Sequence, residues 1–377
     1  MKLGIITTHW ALNYGAVLQS YALEKYLQSQ GYDCEIVDYR PQIGQYGRNY
    51  VVWNKNIKQW CQNMIKLVHI KNKKLFYKKI EAFDDFVEQE LDKSVKTYIT
   101  FQDMQEIGAY DALICGSDQI WNLNLFDMPA FFLPYKNKYP KTKFISYAAS
   151  IAQSLSEEQW KTIIQRTTHF DAVSIREAET TEQYNRYQPG KAVTVLDPVF
   201  LLDKDEWDNR IGQNSYMEKD SYILCYFIGY RGLEYDLIRK VQETNPGKIV
   251  NVGQDPTNHL KADVQLTNVS PFEFVALIRD AKYIVTNSFH MTAFSIIFRK
   301  NFLLVEHKNR NSRMANLITT FLMNDRFIRN RTQIAHLGSK DLLCDYSKIE
   351  ENLEKNIQFS KQYLYKALEE NAANDEI

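Results

Sequence analysis

Short apolar runs alternate along this chain with segments of helical periodicity, and no other feature of the sequence restricts the fold as strongly. Near the N-terminus, residues 3–7 form an apolar run, residues 16–30 have helical periodicity, and residues 35–39 are predicted as the next strand. A strand–helix–strand unit of this kind folds with a right-handed crossover and parallel strands. The sequence therefore predicts an α/β protein built on parallel sheet.

The same alternation continues along the chain and predicts two doubly wound domains. Further strands are predicted at 112–115, 144–148, 172–175, 193–196, 222–228, 248–252, 283–286 and 302–305. Helices are predicted at 156–168, 234–244, 271–281, 291–298 and 346–371, and the polar stretch 203–220 joins the domains. We expect a first domain over residues 1–205, a second domain over residues 206–345, and a C-terminal segment over residues 346–377.

Charge and cysteine content exclude several classes of protein. The chain has 46 Lys and Arg and 46 Asp and Glu residues, so it lacks the basic footprint of a nucleic-acid-binding protein. Its five cysteines are scattered and never spaced as CxxC, which favours reduced, buried thiols over disulfides or a zinc site. The N-terminus lacks the apolar stretch of roughly 7–15 residues that a signal peptide needs, so we expect a cytoplasmic protein.

Residues 41–80 differ in composition from the rest of the chain. They contain nine Lys or Arg residues, no Asp or Glu, and the aromatic residues Trp53, Trp60, Phe76 and Tyr77. One interpretation is an amphipathic stretch that contacts an anionic membrane surface, which would place the protein at the inner face of the membrane. The other is a solvated helical insertion in the first domain, whose charge is balanced by acids elsewhere.

Polar residues follow most of the predicted strands, where ligands bind in open α/β sheets. The groups are His9 with Asn13–Gly15, Gly116–Asn122, Arg176 with Glu177, Asn287–His290, and Glu306–Arg313. Several have a plain structural explanation: a tight turn at 13–15, a helix cap at 117–118, and a surface ion pair between Arg176 and Glu177.

The last two groups favour a functional interpretation. His290 opens a predicted helix, and a helix N-terminus attracts anions through its unpaired amides and its dipole, although a capping role is the alternative. Lys308, Arg310 and Arg313 suit a clamp for phosphate and carboxylate groups, although a solvated basic loop is the alternative.

Taken together, these motifs resemble the polysaccharide pyruvyl transferase family. The resemblance rests on residues 4–10 with 13–19, Gly116–Asn122, Ser174–Glu177, Asp197–Val199, Ser288–His290 and Asn311–Arg313. Each motif is weak by itself, but the set follows the family's order over most of the chain and is specific in combination.

The resemblance implies two Rossmann-like domains facing a cleft, a glycosyltransferase-B-like fold, with the C-terminal helix packing back on the first domain. It implies transfer of an enolpyruvyl unit from phosphoenolpyruvate to two hydroxyls of a sugar, leaving a pyruvate ketal, during capsule or exopolysaccharide synthesis. The acceptor is then a sugar, free or linked to a polyprenyl diphosphate. A histidine suits the proton transfers because its ordinary pKa lies near neutrality. No metal-binding motif occurs, so we expect neither metal nor cofactor beyond the phosphoenolpyruvate co-substrate.

The family motifs assign roles to particular residues. We expect His290 and Asp118 to be catalytic, and we expect the donor to be bound by Arg176, Ser288, Lys308, Arg310 and Arg313. We expect the acceptor sugar to be bound by Asn13, Tyr14, Gln119 and Trp121. One position departs from the pattern, since the better-characterised members have Arg where this chain has Ser288. Arg310 or Arg313 then supplies the missing charge, or the donor differs.

Two other functions remain open from the sequence. The same two-domain scaffold serves glycosyltransferases that use nucleotide sugars, since a fold does not determine a function. A sugar-binding relative without catalytic activity is the third class. The identity of the acceptor sugar, the hydroxyl pair that is bridged and the oligomeric state do not follow from the sequence.

Overall fold

The computed structural model describes residues 1–42, 48–50, 70–125, 128–229, 232–253, 260–306 and 311–369. Its strands are β1 Lys2–Ile6, β2 Asp33–Ile36, β3 Ala112–Asp118, β4 Lys143–Ala149, β5 Val173–Ile175, β6 Ala192–Thr194, β7 Tyr222–Tyr226, β8 Lys248–Val252, β9 Val264–Leu266, β10 Tyr283–Thr286, β11 Phe302–Val305 and β12 Phe327–Ile328. Its α-helices are α1 Tyr14–Ser29, α2 Ile70–Glu90, α3 Glu157–Thr167, α4 Ala178–Tyr187, α5 Lys204–Ile211, α6 Glu234–Thr244, α7 Pro271–Asp280, α8 Phe289–Ile297, α9 Asn311–Thr320, α10 Arg331–His336 and α11 Glu350–Glu369.

The first sheet has the strand order β2-β1-β3-β4-β5-β6, and every pairing is parallel. The winding reverses between β1 and β3, which makes their carboxyl ends the topological switch point. Strands covered on both faces are continuous apolar runs, and β3 is accordingly buried from Ala112 to Ser117. This burial explains why the apolar runs located the strands of this sheet.

The second sheet has the order β12-β11-β10-β7-β8-β9 and is also parallel throughout. Numbered from its first strand, this is the 3-2-1-4-5-6 order of the Rossmann fold, with the switch point between β7 and β10. Its core includes Ile223 and Cys225 from β7 and Leu303 and Val305 from β11. The expectation of two Rossmann-like domains is confirmed.

The chain divides into two compact units. The first contains the described residues within 1–44, 88–202 and 350–377, and the second contains those within 45–87 and 203–349. Within the basic segment, the described residues 48–50 and 70–80 group with the second unit, whereas the sequence analysis treats the segment as an insertion in the first domain. The ring of Phe86, near the end of α2, packs edge-on against Phe272 of the second unit, with centroids 4.9 Å apart.

The C-terminal helix α11 packs on the first unit, as expected. The Tyr363 hydroxyl donates a hydrogen bond to the backbone oxygen of Ser146 at 2.8 Å, and the Ser360 hydroxyl accepts one from the amide of Leu196 at 2.9 Å. These contacts attach α11 beside β4 and β6. No helix among the described residues is both long and apolar enough to cross a membrane.

One segment differs from its sequence-based interpretation. The polar stretch 203–220 contains the helix α5, which begins with a capping box: the Asp203 side chain accepts from the amide of Glu206, and the Glu206 side chain accepts from the amide of Asp203. Trp207 of this helix is fully buried. The D-x-x-E spacing was the available signal for a helix start, but the polar composition suggested a linker.

Gly116 occupies a position in β3 where α1 approaches closely. A Cβ atom at this residue would lie 2.9 Å from Cδ2 of Leu23 and 3.3 Å from Cγ2 of Ile5. Both neighbours are fully buried, so neither side chain moves aside without disturbing the core. The glycine of this motif is therefore required by packing.

We predict that Gly116→Ala lowers the free energy of unfolding by about 1–3 kcal/mol, because the added methyl group overpacks the interface between α1 and the sheet. Urea denaturation measures this loss. Gly108→Ala is the matched control, since nothing lies within 4 Å of its Cβ position. Equal losses at both glycines would contradict the packing explanation.

Candidate functional site

The polar side chains of the first domain gather where β1 and β3 end. The Thr7 hydroxyl lies 3.5 Å from the backbone oxygen of Ser117 and accepts a hydrogen bond from Nε2 of Gln19 at 2.8 Å. The last residue of β3, Asp118, has a positive φ of 69° and a side chain that is 15% exposed. Residues in sparsely populated backbone regions cluster at functional sites. Asp118 therefore remains a candidate catalytic residue.

His9 lies in the loop after β1 and is fully buried in a hydrogen-bonded network. Its Nε2 lies 2.9 Å from Oδ1 of Asp38, and its Nδ1 lies 3.4 Å from the backbone oxygen of Thr7. Asp38 also accepts hydrogen bonds from Nε of Arg40 at 2.6 Å and from the Thr97 hydroxyl at 2.7 Å. Burial by itself would raise the pKa of Asp38, but the hydrogen bonds from His9 and Arg40 hold it well below its usual range. This network joins the loops after β1 and β2.

Arg176, at the end of β5, is surrounded by carboxylates. Its guanidinium pairs with Asp197 and lies 3.9 Å from Oδ1 of Asp118 and 3.7 Å from Oε1 of Glu177. The Arg176 side chain is only 3% exposed. Its positive charge is therefore compensated within the domain, which gives Arg176 a structural role, and its binding of the donor stays a prediction. The alternative interpretation, a surface ion pair between Arg176 and Glu177, is wrong because both side chains are buried.

Asp197 holds this cluster to the neighbouring segments. It accepts a hydrogen bond from the Ser117 hydroxyl at 3.3 Å and another from the amide of Val199 at 3.2 Å. Sequence reasoning gave neither Asp197 nor Asp38 a role in a site. The available signal was the same for both, since each acid lies at or just beyond the end of a predicted strand.

Of the expected acceptor residues, Asn13 and Gln119 have accessible positions. Asn13 is exposed and caps α1, its side chain accepting from the amide of Gly15 at 2.9 Å. Gln119 is half-buried, and its Oε1 accepts a hydrogen bond from the side chain of Asn122 at 3.0 Å. Both side chains retain polar atoms at the edge of the first sheet.

Trp121 and Tyr14 are placed differently from their expected role. Trp121 is fully buried, its ring stacks on Phe132 at 5.9 Å between centroids, and its Nε1 donates to the backbone oxygen of Phe131 at 3.3 Å. Tyr14 is 1% exposed. Both rings therefore lie in the core, and the expected binding of the acceptor by Trp121 and Tyr14 stays a prediction.

In the second domain, Asn287 connects the two strands at the switch point. Its Oδ1 accepts a hydrogen bond from the amide of Ile228 at 2.7 Å, and its Nδ2 lies 3.3 Å from the backbone oxygen of Gly229. The carboxyl end of β10 is thereby tied to the loop that follows β7. This connection fixes the position from which α8 begins.

Ser288 and His290 occupy the first turn of α8. The Ser288 hydroxyl caps the helix and accepts a hydrogen bond from the amide of Met291 at 3.5 Å. Ser288 was expected to bind the donor, and its oxygen instead contacts the helix. His290 is 7% exposed and lies at the N-terminal end of this nine-residue helix. The positive end of the helix dipole is therefore close to His290.

Arg313 lies in the first turn of α9, the helix that follows β11, and is 9% exposed. Since β10 and β11 are parallel neighbours, α8 and α9 both begin at the carboxyl edge of the second sheet. The structure thus brings the elements bearing His290 and Arg313 to one edge. Lys308 and Arg310 lie outside the described residues. No group of three metal-ligating side chains converges within the described part of the chain.

The two parallel six-stranded sheets give the chain a glycosyltransferase-B-like fold. In structure, the chain is similar to the MnaA–UDP co-structure from S. aureus, with a TM-score of 0.50 and 11% identity over 97% of both chains. It is also similar to UGT89C1 of Arabidopsis thaliana complexed with UDP-L-rhamnose, with a TM-score of 0.52 and 9% identity over 98% of both chains. At these identities the likeness shows the fold alone.

Sequence comparison identifies the family. The model of the polysaccharide pyruvyl transferase family matches residues 13–309, which is most of the chain. The chain therefore belongs to this family. No curated protein matches the sequence.

We predict that Arg176→Gln lowers the free energy of unfolding by about 3–5 kcal/mol, because it leaves Asp197 buried without a counter-charge. Urea unfolding, monitored by circular dichroism, measures this loss. The exposed Arg331, which pairs with Asp236 at 2.8 Å, gives the control Arg331→Gln, with a change below about 1 kcal/mol. Unchanged stability with weakened donor binding would instead indicate that Arg176 binds the donor.

Proposed function

We propose that this family member transfers an enolpyruvyl unit from phosphoenolpyruvate to two hydroxyls of one sugar, leaving a cyclic pyruvate ketal, in capsule or exopolysaccharide synthesis. Family membership supports a transferase of polysaccharide pyruvylation. The observation that carries the finer proposal is the position of His290 in the first turn of α8, directly beyond the buried strand β10. A proton-transfer group and an anion-attracting helix end coincide there.

The donor binds at the edge of the second sheet. Phosphoenolpyruvate is small and densely anionic, so its site needs cations and amide donors. The N-terminal turns of α8 and α9 supply amides, and Arg313 supplies a guanidinium whose planar shape matches phosphate or carboxylate. In the first domain, by contrast, the charge of Arg176 is already compensated by Asp197.

The reaction balances with these groups. His290, in its protonated form, gives a proton to the methylene carbon of phosphoenolpyruvate, and a sugar hydroxyl attacks the adjacent carbon and loses its proton. The bond from that carbon to the phosphate oxygen then breaks, releasing inorganic phosphate. A second hydroxyl of the same sugar attacks the same carbon and gives its proton to the released phosphate, which closes the ketal ring. The proton of the first hydroxyl replaces the one that His290 gave to the methylene carbon.

Asp118 is the group we assign to the acceptor. Its carboxylate is 15% exposed at the carboxyl end of β3, where ligands bind in open α/β sheets. Asn13 and Gln119, which remain accessible at the same edge, orient the sugar through hydrogen bonds.

We predict that His290→Ala lowers the rate of phosphate release from phosphoenolpyruvate on the order of 10²–10⁴-fold, because proton transfer by a positioned side chain contributes this much. The assay uses a panel of sugar acceptors and measures inorganic phosphate. His336→Ala, at an exposed histidine of α10, is the control and retains activity. Release of a nucleotide from a nucleotide sugar, with phosphoenolpyruvate left intact, would replace this function with that of a glycosyltransferase.

We also predict that Arg313→Ala raises the KM for phosphoenolpyruvate about 10–100-fold, since a hydrogen bond to a charged group contributes this much. Ser288→Ala removes a helix cap and lowers stability by about 0.5–2 kcal/mol, with little change in KM. Steady-state kinetics and thermal unfolding of both variants separate the effects. The reverse ranking of KM would show that the donor site is misplaced.

A further inference from the structure

The charges of helix α2 are divided between its two halves. Residues 70–79 include only basic charged residues, namely Lys71, Lys73, Lys74, Lys78 and Lys79. Residues 80–90 include only acidic ones, namely Glu81, Asp84, Asp85, Glu88 and Glu90. The helix dipole favours the opposite order, with acids in the first turn and bases in the last. The dipole therefore does not explain this arrangement. Partners within the chain account for part of the acidic half, since Asp84 pairs with Arg48 at 2.7 Å and Glu88 pairs with Arg40 at 3.0 Å.

Part of the basic half forms an exposed surface. Lys73, Lys74, Tyr77 and Lys78 are exposed, and Tyr77 is 45% exposed despite its aromatic ring. Residues four apart are neighbours on a helix, so the Lys73–Tyr77 and Lys74–Lys78 pairs lie on one face. We call these four residues the lysine patch. Lys79 is buried instead, with its Nζ 5.7 Å from the centre of the Phe83 ring.

We propose that the lysine patch docks on a membrane surface that exposes anionic lipid headgroups. Three lysines on one face attract the negative surface potential, and each contributes a factor of about five in binding. Tyrosine is enriched at the boundary between headgroups and acyl chains, which suits the exposed Tyr77. Because the whole chain has zero net charge, this attraction is local to the patch.

A membrane explains the patch better than a nucleic acid. The three lysines span only about 7.5 Å along the helix axis, at 1.5 Å per residue. Nucleic-acid binding depends on phosphate contacts along a backbone, and tight complexes neutralise several phosphates. A lipid surface presents many headgroups to one short convex patch. An acceptor sugar linked to a lipid would also lie at such a surface.

The acidic half of α2 determines how the helix meets the membrane. Glu81 and Asp85 are exposed on the same side of the helix as the lysine patch. Asp85 lies about 10 Å along the axis from Lys78, which exceeds the Debye length of about 8 Å at physiological ionic strength. Glu81 lies only about 4.5 Å along the axis from Lys78 and offsets part of its charge. The headgroups therefore attract the first turns of α2 and repel the later ones. The helix meets the surface by its N-terminal half instead of lying flat.

Vesicle flotation with the full-length protein tests the proposal. Vesicles contain equal parts of phosphatidylglycerol and phosphatidylcholine, or phosphatidylcholine alone. We expect binding to the anionic vesicles only, and loss of binding as potassium chloride rises to near-molar concentration. Equal binding to both vesicles would overturn the proposal. This surface lies beyond the proposed function, and flotation needs no turnover, so failure here leaves the donor assignment intact.

Substitution locates the contact. Combined Lys73→Gln, Lys74→Gln and Lys78→Gln should weaken binding to anionic vesicles on the order of a hundredfold, from three factors of about five. Combined Lys161→Gln, Lys340→Gln and Lys355→Gln removes the same charge from exposed lysines elsewhere and should leave binding within about threefold, since only charges near the surface contribute. Equal weakening by both sets would overturn the patch as the site of contact.

A third variant tests orientation and does not depend on loss of binding. Combined Glu81→Gln and Asp85→Asn removes repulsion and should strengthen vesicle binding severalfold. Unchanged or weaker binding would contradict contact by the N-terminal half of α2. Binding of single-stranded RNA that is lost with the patch lysines, without any binding to vesicles, would replace the membrane with a nucleic acid. Thermal unfolding of each variant establishes that it is folded.

Discussion

In each domain, the parallel direction of the strands determines which residues can form a functional site. A parallel sheet needs a crossover after every strand, so all loops that follow strands lie at one edge, and the helices cover both faces. Asp118 and Arg176 therefore occupy one edge of the first sheet, and His290 and Arg313 occupy one edge of the second. These residues are distant in sequence within their domains. Only the common strand direction makes each pair part of one surface.

The charged groups at the edge of the first sheet are paired within their domain. Arg176 is enclosed with Asp197, and the His9 ring is enclosed with Asp38. Removing one member of a buried ion pair leaves the other charge uncompensated and away from water. In the second domain, the described polar side chains at the edge include Asn287, Ser288, His290, Glu306 and Arg313. The proposed donor site rests there on the first turns of α8 and α9.

Local patterns predicted the strands that are short runs buried on both faces, as in Tyr283–Thr286. They missed β9, which is partly exposed, and β12, which has only two residues. The errors have physical causes. Helix α5 is polar except for residues such as Trp207, so composition suggested a linker. The partner of Arg176 lies 21 residues away, and no local pattern shows whether an arginine is paired across strands. Trp121 stood within a polar motif, which gave no sign that its ring points into the core.

The motif at the end of β3 shows why a family signature does not by itself define a catalytic site. Gly116 is required by the approach of Leu23, and Ser117 donates to Asp197. Only Asp118, with its positive φ and partly exposed carboxylate, has geometry beyond what packing needs. Adjacent residues of one family motif are therefore required for different reasons, some for packing and others for hydrogen bonding or chemistry. A substitution identifies chemistry only where activity falls while the free energy of unfolding stays the same, and at Gly116 both would fall together.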